Sequence, residues 1–245
     1  MANAVRYSFE RVERKYFLSP EQYRFLFSRI ESFVRPDDYG AYTLCNIYYD
    51  TDDWRLVRAS VEKPAYKEKL RLRSYGAAAE AGPVFAELKK KCGGIVYKRR
   101  IGVRAAEAGP LLADPAALRE HGQIGRELAW FQQFYRTGPK VFIAYDRTAF
   151  AGLEDPDLRI TFDRNLRWRD DRLDLRLGDD GRPILPDDRI LMEVKIADAC
   201  PLWLSRPLSQ AGIFPVSFSK YGACYQRHIL RKEPEKDKKG GSLCA

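Results

Sequence analysis

The sequence predicts an α+β fold: a closed antiparallel β-barrel that forms a tunnel, flanked by helices. Two observations carry this expectation. The first is the stretch Tyr66 to Tyr75, YKEKLRLRSY. Strand geometry of period 2 puts Lys67, Lys69, Arg71 and Arg73 on one face and Glu68, Leu70, Leu72 and Ser74 on the other. The second is recurrence, because charged and apolar residues alternate on several other predicted strands. A closed sheet can turn its apolar faces outward to helices and its charges inward to a lumen. Four cations on one face repel each other, so such a lumen needs an anion to compensate it.

The elements follow in order. Arg6 to Leu18 alternates as a strand, with Arg11, Glu13 and Lys15 on one face and Val12, Arg14 and Tyr16 on the other. Ser19-Pro20-Glu21-Gln22 is a helix start, with Ser19 as N-cap, Pro20 at N1 and Gln22 at the capping-box position. That helix runs to about Val34 on a stripe of Tyr23, Leu26, Phe27 and Ile30. Tyr42 to Thr51 is rich in β-formers and predicts a strand. Asp52 to Glu62 has helical spacing through Trp54, Val57 and Val61. A loop spans 76–83 after the basic strand. Val84 to Lys91 and Ile95 to Val103 then flank Cys92-Gly93-Gly94, a hairpin signal. Glu87, Lys89 and Lys91 share a face of the first strand, and the second carries Lys98, Arg99 and Arg100.

Residues 106–136 read as two helices broken near Gly122, with Leu128, Phe131, Phe134 and Tyr135 as core candidates. Lys140 to Phe150 and Leu158 to Trp168 are strands; in the second, Arg159, Thr161 and Asp163 oppose Ile160 and Phe162. A polar excursion over 169–189 leads to the strand Ile190 to Ala197, where Leu191, Glu193 and Lys195 oppose Met192, Val194 and Ile196. Helices over about 202–211 and 219–231 complete one predicted domain, 1–231. The charged, Gly-rich stretch 232–245 is expected to be a disordered tail.

Composition narrows the functional classes. The 245 residues are 45% hydrophobic and 31% charged, as in soluble globular chains. No apolar run reaches the roughly 18 residues of a membrane helix. The N-terminus lacks the apolar centre of a signal peptide, so the expected compartment is the cytoplasm. Five cysteines without CxxC spacing fit neither a zinc site nor a disulfide framework. His121 and His228 are the only histidines, which disfavours histidine metal sites and histidine general bases. A net charge of +9 asks for an anionic partner: nucleic acid, an anionic membrane surface or a phosphate-rich small molecule. Single-stranded nucleic acid wants aromatics interleaved with cations. KLRLR interleaves leucines instead, so no nucleic-acid partner is expected.

The chemistry gathers in a local pattern, Glu-x-Lys, at Glu13-Arg14-Lys15, Glu87-Leu88-Lys89 and Glu193-Val194-Lys195. On a strand both charges point to one face. A single pair reads equally well as an exposed ion pair worth about 0–1 kcal/mol. Accumulation favours the lumen, because Arg71, Arg73, Lys98, Arg147 and Arg159 add cations on other strands. Cations alternating with a few carboxylates suit a metal-bound polyphosphate, with cations on non-bridging oxygens and carboxylates on the divalent ion.

In order along the chain, RVERKY, NIYYDT, KLRLRSY, FAELKKK with VYKRR, YDRTAF, RITFD, LMEVK and FSKY cover about residues 6–222. As a set they resemble the VTC-domain family of polyphosphate polymerases, within the triphosphate tunnel metalloenzyme (CYTH-like) superfamily. The resemblance implies an antiparallel β-tunnel with its chemistry inside. It implies that Lys15, Arg71 and Arg73 bind phosphates and that Lys89, Lys98, Arg147 and Arg159 extend that lining; Lys69 stands on the same basic face. Glu193 would hold Mn²⁺ or Mg²⁺ with Lys195 beside it, and Lys220 would contact the phosphate chain or the transferred group. Glu13 and Glu87 would orient lysines or assist the metal. Tyr16, Tyr49 and Tyr221 read as packing residues. The implied reaction transfers the ATP γ-phosphoryl group to a growing polyphosphate and releases ADP. With water as acceptor the same site is a triphosphatase, or a hydrolase of nucleotides or polyphosphate. Without turnover it is a polyphosphate-binding module.

Overall fold

Alternation along each strand decides the layers of the molecule. The structure, a computed structural model, describes residues 12–62, 64–93, 95–155, 157–197 and 199–231. The expectations for residues 6–11, for Gly94 and for the tail from Lys232 lie outside the described residues. The strands are β1 (Val12–Leu18), β2 (Val34–Asp50), β3 (Tyr66–Tyr75), β4 (Pro83–Cys92), β5 (Ile95–Arg104), β6 (Gly138–Gly152), β7 (Arg159–Arg169), β8 (Arg182–Pro183), β9 (Ile190–Ile196) and β10 (Pro215–Val216). The helices are α1 (Pro20–Ile30), α2 (Arg55–Glu62), α3 (Ala105–Ala113), α4 (Pro115–Arg119), α5 (Gly122–Tyr135), α6 (Leu202–Gln210) and α7 (Lys220–Cys224). Every strand pairing is antiparallel, in the order β10-β1-β9-β7-β6-β2-β3-β4-β5, with β8 on β7.

The sheet is not closed, which corrects the expected barrel. Among the described residues the hydrogen-bonded path ends at β10 and β5 without a pairing between them. Paired strands lie about 4.7–4.9 Å apart. Drawing the two edges that close would press Lys89 and Lys98 towards Lys15 and Lys195, cations that outnumber the carboxylates Glu13, Glu87 and Glu193 beside them. Like charges oppose that approach.

Two apolar layers cover the outer faces, as alternation requires. Leu70, Leu72, Val84, Ala86 and Leu88 pack beneath α3, α4 and α5 through Leu112, Leu118, Leu128 and Phe131. Tyr16, Ile160, Phe162, Met192 and Val194 pack beneath α1 and α6 through Leu26, Ile30, Leu204 and Leu208. Each fully buried leucine or phenylalanine here contributes roughly 1.5–3 kcal/mol. A third core was not expected: it fills one end of the concave inner face. There Tyr48, Val141, Ile143 and Leu191 meet Val57 of α2 and Tyr221, Cys224 and Tyr225 at the chain's end. The inner face is therefore apolar at one end and charged along the rest.

Local signals explain most element ends. The capping box is present at α1: Ser19 Oγ accepts from the Gln22 amide at 3.1 Å, and the Ser19 amide donates to Gln22 Oε1 at 2.9 Å. Residues 106–136 hold a second break, because Asp114 Oδ1 accepts from the amides of Ala116 and Ala117 and starts α4. Strand β2 begins at Val34 rather than Tyr42. Pro36 lacks a donor and argues against a strand, but it sits where the β2–β6 register shifts between Pro36 and Ala41, a bulge that tolerates it. The last helix ends early, α7 being followed by a π-helical turn over Tyr225–Ile229.

Candidate functional site

The site is the charged part of the inner face, and strand register assembles it. Facing positions on β3 and β4 bring Arg71 opposite Glu87 and Lys69 opposite Lys89. Next door, β5 sets Lys98 opposite Lys89. Across the concavity, β1 and β9 pair Glu13 with Lys195 and Lys15 with Glu193. β7 adds Asp163 opposite Arg147 of β6. Lys220 enters from the first turn of α7, which is anchored by Asp50. That carboxylate accepts from the amides of Leu56 and Val57 and from the Tyr221 hydroxyl, each at 2.9 Å. Tyr16, Tyr49 and Tyr221 are all buried in the cores, as packing residues should be.

Two adjoining cavities of about 760 and about 730 Å³ share Glu13, Lys15, Lys69 and Lys89 in their walls. Around the second stand Lys15, Lys69, Arg71, Arg73, Lys89, Lys98, Arg147, Lys195 and Lys220, against the carboxylates Glu13, Glu87 and Glu193. With Asp163, which pairs with Arg147 and Lys220 just beneath the lining, nine cations meet four carboxylates, a formal excess of five positive charges in one concavity. Twelve of the thirteen residues expected at the site meet there. Arg159 is the exception: it stands at the rim, exposed, donating to Asp37 at 2.8 Å.

Charge is distributed unevenly within the cavity. At its floor Arg147 donates to both oxygens of Asp163, at 2.6 and 2.8 Å, and lies 3.5 Å from Glu193. Lys220 Nζ reaches Asp163 at 2.6 Å and Glu193 at 3.2 Å. Burial alone would raise the Glu193 carboxyl, but Lys220, Lys15 and Arg147 outweigh it and hold it far below the usual range. The same carboxylates overcome burial at Lys220 and Arg147 and raise both. On the wall, Glu87 takes Arg71 at 2.7 Å on one oxygen and Lys98 at 2.7 Å on the other. Burial opposes its charge, yet Arg71, Arg73 and Lys98 bring it down to about 2.

Lys69 and Lys89 differ. Among the described residues neither forms an ion pair, and Lys69 donates instead to the Ser219 hydroxyl at 2.9 Å. Loss of water, then the neighbouring Lys89, Lys15, Lys67 and Arg71, push the Lys69 ammonium down to about 7. Loss of water also lowers Lys89; the nearby carboxylates of Glu13 and Glu193 oppose that shift, and Lys15 and Arg71 add to it. Of the described residues, no carboxylate is among the charged neighbours of Lys69, and Lys89 has two near it but pairs with neither.

Among the described residues there is no group of three acidic, histidine or cysteine side chains, so no all-protein metal cage exists. Mg²⁺-type ions at phosphate sites need only one or two carboxylates, the substrate and water supplying the rest. Glu193 fits that role, and an orphaned atom supports it. Thr161, opposite Glu193 in the β7–β9 register, has a buried hydroxyl with no hydrogen-bond partner among the described residues. Glu13 lies near Glu193; burial and that neighbour oppose its charge, but Lys15, Lys89 and Lys195 outweigh them and hold the Glu13 carboxyl below its usual range. Glu87 does not fit, because both its oxygens are engaged on the opposite wall.

Sequence reasoning left several site groups unassigned. Asp163 had been placed on the correct strand face without a role, and its alternation with Thr161 was the signal available. Asn46 and Tyr145 hold Arg73, at 2.9 and 3.2 Å, and Tyr48 meets Arg71 at 3.3 Å. Nothing local in the sequence separates these from packing residues.

The VTC domain family matches residues 10–229. Among solved structures, a candidate adenylyl cyclase from Hippeastrum, HpAC1, described as having a dominant triphosphatase activity, superposes with a TM-score of 0.54 at 16% identity. The match covers 88% of this chain and 95% of that one, and the two share the fold. A candidate adenylate cyclase from Vibrio parahaemolyticus gives a TM-score of 0.46 at 12% identity, over 88% of this chain and 97% of the other. No curated protein matches the sequence.

Proposed function

The chain belongs to the VTC domain family, and on that premise we propose that it is a metal-dependent phosphotransferase that passes the γ-phosphoryl group of ATP to a growing polyphosphate. The observation that carries the reading is the pair Lys69 and Lys89, which form no ion pair among the described residues, in a cavity with a formal excess of five positive charges. A linear phosphate chain, with a negative charge at each phosphorus, is the complement of that lining. The adjoining cavity, which shares Lys15, Lys69 and Lys89 with it, continues the basic path with Lys67 and Lys91 in its wall.

Phosphoryl transfer asks for positioning and charge neutralisation more than for a protein nucleophile. Arg71, Arg73 and Lys98 would hold the donor's phosphates, while Lys15, Lys69 and Lys89 would hold the acceptor chain. The terminal oxygen of that chain attacks the γ-phosphorus, and the bond to the β-phosphate oxygen breaks with its electron pair leaving on ADP. Lys220 and Arg147 would neutralise charge on the transferred group. A divalent ion, Mn²⁺ or Mg²⁺, held by Glu193 with Glu13 beside it would supply neutralisation between phosphate oxygens.

A second reading is favoured by the Hippeastrum neighbour's described triphosphatase activity: water replaces the chain as acceptor. Purified protein with ATP and Mn²⁺, its products resolved by gel and by ³¹P NMR, separates the two. Long chains with ADP support the polymerase. Orthophosphate without chains makes the protein a triphosphatase, and no turnover with retained polyphosphate binding makes it a binding module.

A further inference from the structure

The inner face does not stop at the last phosphate-facing cation. Two residues beyond Arg73 on β3 stands Tyr75, and two before Glu87 on β4 stands Phe85. Tyr42 of β2 lies opposite Arg147 in the β2–β6 register. Same-face neighbours along a strand are roughly 6–7 Å apart, so these rings follow directly on the cations. They also form a group of their own. Ring centroids are 5.8 Å apart for Tyr42 and Tyr75 and 6.1 Å for Tyr75 and Phe85, and the Arg100 guanidinium lies 4.8 Å over Phe85. Tyr75 is 53% exposed, so ring surface is open to solvent at this end of the inner face. The adjoining cavity at the other end, by contrast, carries five lysines in its wall, Lys15, Lys67, Lys69, Lys89 and Lys91.

We infer that the rim of Tyr42, Tyr75 and Phe85, with Arg100, is a nucleobase subsite that stacks the base of a nucleoside triphosphate whose phosphates lie along Arg73, Arg71 and Lys98. The inference rests on the phosphoryl-transfer reading above and adds where the nucleoside sits. Ring faces and a guanidinium plane recognise any base by stacking, so this subsite favours nucleotides over bare phosphate chains without selecting one base. It also sets a direction: the nucleotide enters by the aromatic end, and the lysine-lined cavity is left to the phosphate chain.

The test is calorimetric titration of ATP and of inorganic tripolyphosphate, in one Mg²⁺ buffer, into wild type, Tyr75→Phe and the double variant Tyr75→Ala/Phe85→Ala. In the double variant ATP should bind about tenfold more weakly while tripolyphosphate binds as before, and Tyr75→Phe should keep wild-type affinity for both. Equal loss for both ligands, or for neither, overturns the subsite. If the double variant does not fold, Tyr75→Ala alone must show the same split between ligands, since its ring is largely exposed. Wild type that binds neither ligand overturns the phosphate-site reading, and the subsite with it; wild type that binds both while the variants show no split overturns the subsite alone.

Discussion

The floor and the wall of the cavity handle positive charge in opposite ways. On the floor, Arg147 and Lys220 are buried against Asp163 and Glu193 at 2.6–3.5 Å, and each cation has its anion in place. On the wall, Lys69 and Lys89 face the same space and, among the described residues, form no ion pair. The floor is electrostatically complete within the protein, so its ion pairs can hold strands β6, β7 and β9 to α7. On the wall Glu87 neutralises Arg71 and Lys98, and the two lysines are left for a ligand. A site can thus be rigid where charge must be positioned and unsatisfied where a ligand must be recognised.

The comparison is tested most severely at Glu193, the one floor carboxylate assigned to a metal. Glu193→Ala should lower turnover of ATP with Mn²⁺ by about 10²–10³-fold or more, followed as ADP release. Without divalent ion, tripolyphosphate binding should be kept or strengthened, because a negative charge leaves the cavity. Weaker binding in that variant would sink the assignment.

Asp163→Asn tests the floor as a structural device. It leaves Arg147 and Lys220 buried without their main partner, and unfolding in urea should show a loss of about 3–5 kcal/mol. Saturating tripolyphosphate should restore part of the loss by binding the folded state. A midpoint that does not move would show that the floor pairs are dispensable.

The wall predicts an unusual pH dependence. Lys69 is lowered from the ordinary 10.5 to about 7, so between those values the unfolded chain binds the extra proton. Stability without ligand should therefore rise with pH from about 7 towards 10.5, and below about 7 the penalty is constant. Lys69→Met should flatten that rise and stabilise the ligand-free protein, yet weaken tripolyphosphate about tenfold. Glu87 has the opposite sign. Its carboxyl is held at about 2, so its contribution is present above the ordinary 4.5 and is lost as pH falls towards 2. Glu87→Gln should flatten that acid limb. The smallest effect belongs to Arg159→Ala, whose exposed pair with Asp37 is worth about 0–1 kcal/mol. Its turnover should stay within about threefold of wild type.

Face assignments were legible because they depend on nothing but alternation. Lys69, Arg71 and Arg73 on β3, Glu87 and Lys89 on β4, and Glu193 and Lys195 on β9 all point inward as read, with Leu70, Leu88 and Val194 outward. The capping box at Ser19 was legible for the same reason, since both of its partners lie within four residues. Closure of the sheet was not legible. Period 2 places charges inside a curved sheet whether or not its edges meet, and cation repulsion at the seam enters no local window. Nor were the inward-facing Tyr48, Val141 and Ile143 read as a plug, because the helix that covers them lies at the far end of the chain.

The sequence by itself determined which side of each strand a charge takes, and hence that one face would carry an excess of cations. Tertiary structure alone decided which of those cations are neutralised. Lys69 meets Ser219 across 150 residues, Lys15 reaches the Phe218 carbonyl across 203, and Lys220 finds Glu193 across 27. Side-chain direction follows from backbone geometry at each residue, whereas the pairing of charges follows from burial and chain closure over the whole molecule. Neighbouring residues do not encode where that closure brings an anion and where it leaves a cation waiting for one.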